Sequence, residues 1–227
     1  VYAQATAGLN ALRERGVLVQ DEGDAVWLYR QTMGAHVQIG FVGCANVDDY
    51  ASGRIKRHEF TRRVKEDDRT RHVNETNANA GPVFLTVREL DGLESFQAEM
   101  MRGEPDLSVV GAHEVLHECW AIRDPQHLSV LAALLKPADS FYIADGHHRA
   151  ASAMRCRDIR RASQPHAPKD AAWERFLVVV FPAKQLDILA YNRVVSDLDG
   201  FDRDSFLTEL GKWFEIRETT DPSPTER

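Results

Sequence analysis

Apolar positions along the chain change period several times, and each change marks an element. Residues 3–15 put Leu9 and Leu12 on one helical face and stop at Gly16. Residues 25–31 and 36–43 read as two β-strands joined by a turn at Thr32-Met33-Gly34. Residues 61–78 are polar, highly charged and free of Pro and Gly, which predicts a solvated helix. A strand is expected at 82–87, a short helix at 93–102 and a strand at 113–123. Asp124 and Pro125 then supply an N-cap and a first-turn proline for a helix over 126–135. Phe141–Ala144 is short, apolar and β-prone, and a helix is expected from about 147 to 160. Residues 163–170 read as a surface loop, 176–181 and 188–195 as strands, and 202–214 as a last amphipathic helix. Strands and helices mix without strict alternation, so the expected class is α+β, a mixed sheet with flanking helices. The expected organisation is one domain over 1–217 with a flexible polar tail at 218–227.

Composition narrows the function classes. The 227 residues carry a net charge of −7, which argues against a bulk nucleic-acid binder. No apolar run approaches the roughly 20 residues of a membrane span, and the first residues lack the layout of a signal peptide. Cys44, Cys119 and Cys156 are far apart and read as reduced thiols of a cytoplasmic protein. The first residue is Val rather than Met, so a processed or partial chain is expected.

One stretch departs from the acidic average. Residues 54–72 hold Arg54, Lys56, Arg57, Arg62, Arg63, Lys65, Arg69 and Arg71 against Glu59, Glu66, Asp67 and Asp68. On a helix, His58, Arg62, Lys65, Arg69 and His72 would fall in one acid-free stripe suited to a phosphate. The same residues also suit a solvated helix laced by i,i+4 pairs such as Arg62–Glu66 and Arg63–Asp67.

Asp145-Gly146-His147-His148-Arg149 follows the apolar strand at once and precedes a helix-favouring Ala150-Ala151-Ser152-Ala153-Met154. A helix N-terminus offers unpaired N–H groups and a favourable dipole to an anion. Gly146 permits close approach of a ligand, and Arg149 supplies a planar donor fork. His147 and His148 suit proton movement or phosphate contact, and Asp145 could act as base, orient a histidine or hold Mg²⁺. A merely polar turn is the alternative, and four functional groups in a row beside a buried strand weaken it.

His113-Glu114-Val115-Leu116-His117 matches the HExxH pattern, which binds zinc only on a helix. Here the surroundings are β-prone, and a strand would hold the two histidines about 13 Å apart. The match reads as chance, and no zinc is expected. Nucleophile-elbow, P-loop and dinucleotide-binding glycine motifs are absent.

The segments LYRQ (28–31), GFVGCANVDDYASGRIKRHEFTRRVKEDDRTRH (40–72), NANAGPVFL (77–85) and YIADGHHRAASA (142–153) together resemble the family catalogued as domain of unknown function 1015. That family is similar to the ADP-dependent free-serine kinases of the ParB/sulfiredoxin-like superfamily. The resemblance implies a ParB/sulfiredoxin-like core with family-specific additions, and a GxxR loop that holds nucleotide phosphates, here Gly146 and Arg149. It further implies a phosphotransferase using ADP or ATP with Mg²⁺ on a small hydroxyl substrate, free L-serine above all. Lys56, Arg57, His58, Arg69 and His72 would join in phosphate binding; the resemblance matches no position here to the catalytic glutamate of the serine kinases, and from residue chemistry alone Asp145, His147, His148 or Glu59 would handle the proton. The family's GxxRxxA pattern meets Ser152 at its last position, and Tyr191-Asn192-Arg193 stands where His before Arg is frequent. The alternative is a non-catalytic nucleotide- or DNA-binding module of ParB type. A nucleotide and a small molecule are the expected partners, nucleic acid and membrane are not, and a homodimer is left open.

Overall fold

The computed structural model describes residues 1–189 and 192–220. The chain forms two compact units, Val1–Leu186 and Asp187–Arg227. The first contains a mixed sheet of eight strands: β1 (Val26–Met33), β2 (His36–Asn46), β3 (Ile55–Lys56), β4 (Val83–Val87), β5 (Leu107–Val110), β6 (Leu116–Ile122), β7 (Phe141–Asp145) and β8 (Arg175–Pro182). Its helices are α1 (Tyr2–Glu14), α2 (Val47–Ala51), α3 (Arg63–Thr76), α4 (Leu93–Met100), α5 (Pro125–Leu135) and α6 (His147–Ser163). The α+β class holds, and the strand order is β3-β7-β4-β8-β2-β1-β6-β5. Only β3–β7 and β4–β8 pair in parallel.

Register explains why this sheet has a core. Trp120 lies opposite Leu28, Leu28 opposite Phe41, Phe41 opposite Val180, Val180 opposite Leu85, and Leu85 opposite Ile143. This single row crosses six strands, and every member is buried. Burying such side chains contributes about 1.5–3 kcal/mol each before chain entropy is counted. At one end of the row Val47, Tyr50, Ala150, Ala151 and Ala153 of α2 and α6 pack on the strands. At the other end Leu93 and Phe96 of α4 and Leu131 of α5 do so. The alanines of α6 let its backbone lie close to the sheet. Gly40 of β2 is needed for a similar reason, since a Cβ there would sit 2.7 Å from both Phe181 Cδ1 and the Val180 carbonyl oxygen.

Several expectations are corrected. The first hairpin runs through Thr32 and Met33 and turns at Gly34-Ala35, because β1 and β2 stay paired to Met33–His36. Residues 113–115 are not strand: residues 112–114 form a 3₁₀ turn in which His113 and Glu114 both have φ of 58°. The pattern of 188–195 does not form a strand in its described residues, and Tyr191 lies outside them. The last helix, α7 (Arg203–Leu210), is shorter than 202–214 and is capped by Asp202, whose carboxylate accepts from Ser205 N–H at 2.8 Å. Of the expected tail, 221–227 lie outside the described residues, and 218–220 form neither helix nor strand. Helix α2 and strands β3 and β5 are additions. The first carries a readable signal, the Asn46 side chain accepting from Asp48 N–H at 2.8 Å with Asp48 and Asp49 in the first turn. No helix of the described residues is long and apolar enough to cross a membrane.

Candidate functional site

Four strands meet at one edge of the sheet. Strand β7 ends at Asp145, and the parallel β3, in register through Lys56 and Tyr142, ends beside it. Strand β4 begins there, with Phe84 opposite Asp145, and β8 begins in parallel with β4, Val83 facing Val178. The loop 145–149, the segment after β3 and the segment before β4 are therefore brought together by pairing between residues far apart in sequence.

Gly146 turns the chain from β7 into α6 with φ of 98°, in the left-handed region that favours glycine. It is the N-cap of α6, and no side chain caps that terminus. The Arg149 guanidinium folds back over it: a Cβ at position 146 would lie 2.9 Å from Arg149 Nε. Arg149 Nη2 donates to Asp145 Oδ2 at 2.7 Å, while its buried Nε has no hydrogen-bond partner.

The two histidines hold the segment after β3. The buried His147 accepts from His58 N–H through Nε2 at 3.4 Å, and its Nδ1 faces Glu59 Oε2 at 3.7 Å. The His58 ring meets the His147 ring edge-on with centroids 4.5 Å apart. His148 Nε2 accepts from Arg62 N–H at 3.1 Å. These contacts accompany a non-helical 57–62, with Arg62 in extended conformation, so α3 starts at Arg63 and the expected stripe is corrected. Only Lys65, Arg69 and His72 of its five members lie on the helix. The expected i,i+4 pairs are also replaced, because α3 packs on α6. Glu66 and Asp67 pair with Arg155 at 3.5 and 2.5 Å.

Behind the loop is a cavity of about 100 Å³. Arg69 and His72 of α3, Asn79-Ala80-Gly81 before β4, and Arg149 and Ser152 of α6 line it. Phe176 closes its floor side with Leu177. Ser152, the departure from GxxRxxA, is buried and donates through Oγ to the Glu66 carbonyl at 3.3 Å, tying α6 to α3. Asn79–Gly81 also line it; their residue types carry no charged or titratable group, and the family segment 77–85 is the one sequence signal that contains them. Of the expected site residues only Arg69, His72 and Arg149 line the cavity; Lys56, Arg57, His58, Glu59, Asp145, Gly146, His147 and His148 do not, and Arg57 lies over the Tyr50 ring at 5.7 Å. A larger groove of about 540 Å³ runs between α5 and strands β2, β4 and β8. Its walls are mainly apolar; Arg54 of the basic stretch lines it, but none of the candidate phosphate-binding or proton-handling residues does, so chemistry and not size selects the smaller cavity.

Burial is the main reason the His147 imidazole titrates below its ordinary 6.5, with the neighbouring His58 charge adding to it and Glu59 and Asp145 opposing. A depressed histidine binds fewer protons in the native than in the unfolded chain, so stability rises with pH through this window. The contribution is complete above about 6.5 and is lost as pH falls toward the native midpoint. Proton NMR titration in chelator-containing buffer should place the His147 midpoint below 6.5. A midpoint at or above that value would contradict the burial argument.

The HExxH-like run holds no shared metal geometry. His113 sits in the left-handed turn, and His117 is on β6 with Nδ1 2.6 Å from Tyr29 Oη. No curated protein and no solved structure matches the chain. A family model does match, over residues 1–227, and the chain belongs to the family described as Protein of unknown function (DUF1015).

Proposed function

We propose that the chain is a nucleotide-dependent phosphotransferase acting on a small hydroxyl compound, with free L-serine the first substrate to test. The reading extends the expectation, drawn from the sequence motifs, of a free-serine-kinase-like activity on a ParB/sulfiredoxin-like core. The single observation that carries it is the orphaned, buried Arg149 Nε at the cavity shared by Arg69, His72 and the 79–81 backbone. An unpaired buried donor costs about 1–3 kcal/mol, and an anionic oxygen is the ligand that relieves it. The residues fit one phosphoryl group: two arginines and a histidine line the cavity. Ligand pockets for whole drug-sized molecules are roughly 300–1,000 Å³, so the 100 Å³ cavity takes the phosphate end of a nucleotide and leaves the nucleoside outside it.

The Asp145–Arg149 pair is exposed, with side chains 74% and 40% accessible. Such pairs are worth only about 0–1 kcal/mol, so an incoming phosphate can take the guanidinium and free the Asp145 carboxylate. In the transfer, the bond from the terminal phosphorus to the nucleotide oxygen breaks and its electron pair leaves with the nucleotide. The bond from the substrate oxygen to phosphorus forms, and the hydroxyl proton passes to Asp145 or Glu59. His147 and His148 hold 57–62 in place beside this chemistry. Mg²⁺ bound with the nucleotide supplies charge neutralisation; Asp145 is the nearby carboxylate, and nucleotide oxygens would furnish further ligands.

Incubating the full-length protein with ADP or ATP, Mg²⁺ and serine should yield phosphoserine. Absence of turnover on a panel of hydroxyl substrates would sink the enzymatic reading. Salt-dependent DNA binding instead would favour the ParB-like binding module.

A further inference from the structure

Among the described residues, one group of side chains has metal-ligating chemistry and spacing: His58, Glu59 and His147, whose ligand atoms all lie within 4.8 Å of one another. We propose that these three bind one divalent first-row transition-metal ion, of the Zn²⁺ class, at the head of α6.

The donor set decides the class. Two imidazoles and one carboxylate are borderline ligands that suit zinc, iron or cobalt, and this composition leaves positions open for water or substrate. Mg²⁺ instead demands an octahedron of oxygens and gives up its water reluctantly. Around a tetrahedral ion with ligand bonds of about 2.0–2.2 Å, donor atoms stand roughly 3.4 Å apart. Glu59 Oε2 and His147 Nδ1 are already 3.7 Å apart, and no pair exceeds 4.8 Å, so the widest must close by at most about 1.4 Å. The means are present. His147 is fixed by burial in the first turn of α6, whereas His58 and Glu59 are exposed on the extended segment after β3. Neither the Glu59 carboxylate nor the His58 ring has a hydrogen bond elsewhere among the described residues that would hold it away.

Tautomer exchange completes the picture. While His147 Nε2 accepts from His58 N–H, the ring proton is on Nδ1 and faces Glu59. An ion at Nδ1 transfers that proton to Nε2, and the 3.4 Å contact to His58 N–H gives way. Glu59 changes from hydrogen-bond acceptor to ligand. The site is separate from the run His113–His117, whose first two residues lie in a left-handed turn.

The chain, stripped with EDTA and titrated calorimetrically with Zn²⁺, Co²⁺ and Mg²⁺, should take up one Zn²⁺ or Co²⁺ and bind Mg²⁺ far more weakly. Bound Co²⁺ should show the intense visible bands of low coordination. His58→Asn and Glu59→Gln alter exposed side chains, so both variants fold, and each should weaken binding about tenfold or more; loss of an outer-shell partner alone costs that much. The double variant H113N/H117N should bind as the parent does. Failure to bind stoichiometrically, binding that survives both H58N and E59Q, or binding lost in H113N/H117N would overturn the proposal. Nucleotide binding without any Zn²⁺ uptake removes this inference and leaves the phosphotransferase reading standing. Zn²⁺ uptake without nucleotide binding supports the inference while removing that reading.

Discussion

Arg149→Ala is expected to weaken nucleotide or phosphate binding about ten- to a hundredfold. A hydrogen bond to a charged partner is worth roughly 1.5–3 kcal/mol, and the guanidinium presents its orphaned Nε and its Nη2 on the same ligand side. Arg149→Lys should restore only part of the loss, since an ammonium keeps the charge without the planar fork. Stability should change little: the Asp145 partner is exposed, and a pair of that kind contributes about 0–1 kcal/mol. The useful measurement is therefore calorimetric titration with ATP and ADP beside a thermal melt. Unchanged affinity with an unchanged melt would remove Arg149 from the site. Lost affinity with a collapsed melt would assign it a structural role.

The largest stability effect is expected at Phe176, the second residue of β8. It is 1% exposed, pairs in register with Ala45 of β2, and packs among the α2 and α6 side chains. It also lines the phosphate-sized cavity. Phe176→Ala deletes the ring and leaves a void that packed neighbours fill incompletely, at a cost of about 3–5 kcal/mol. For a domain of this size each kcal/mol lowers the melting temperature by about 2–4 °C, so a fall of roughly 6–20 °C is expected. Phe176→Leu should lose distinctly less. Urea unfolding with an unchanged denaturant slope gives the clean reading, and a loss below about 1 kcal/mol would show that the core is not organised around this ring. The double membership of Phe176 adds a consequence: the leucine variant should lose phosphate affinity out of proportion to its stability, because the wall behind Arg149 and Ser152 moves.

Other side chains hold the same helix in place without joining its chemistry. Arg157, buried on α6, donates to Asp48 of α2 at 2.5 Å, and Arg161 reaches the buried Glu174 through Nε at 2.8 Å and Nη2 at 2.5 Å. These pairs link α6 to α2 and to the turn before β8. The loop at the head of α6 is thus positioned from several sides, as a preorganised anion site requires.

Local sequence determined much of this. Asp124 before Pro125 gave a cap and a first turn, and the structure has both, with Asp124 accepting from the Gln126 and His127 amides. The apolar run Phe141–Ala144 broken by Asp145-Gly146 became a strand, a left-handed glycine and a helix. These signals need only neighbouring residues, since capping, a positive φ and strand propensity act within a few positions. The charged stretch 54–72 was legible as basic but not as geometry. Its first part is non-helical and held by the His147 and His148 rings, some 86 to 89 residues later, and its acids Glu66 and Asp67 turn to Arg155. Hydrogen bonds between such distant groups override helical periodicity, and no local pattern announces them. Strand β5, exposed throughout at the sheet edge, forms where no strand is expected, and the described residues of the strand-like 188–195 form none, for one reason: pairing partners, not propensity, decide whether a short apolar run becomes a strand. Neighbouring residues alone mark Asp145–Arg149 as a polar turn at the head of a helix. Folding sets what shares that place: Arg69, His72 and Asn79–Gly81 behind it, His58 and Glu59 beside it. Sheet register and α3–α6 packing bring these residues there from three separate stretches of chain.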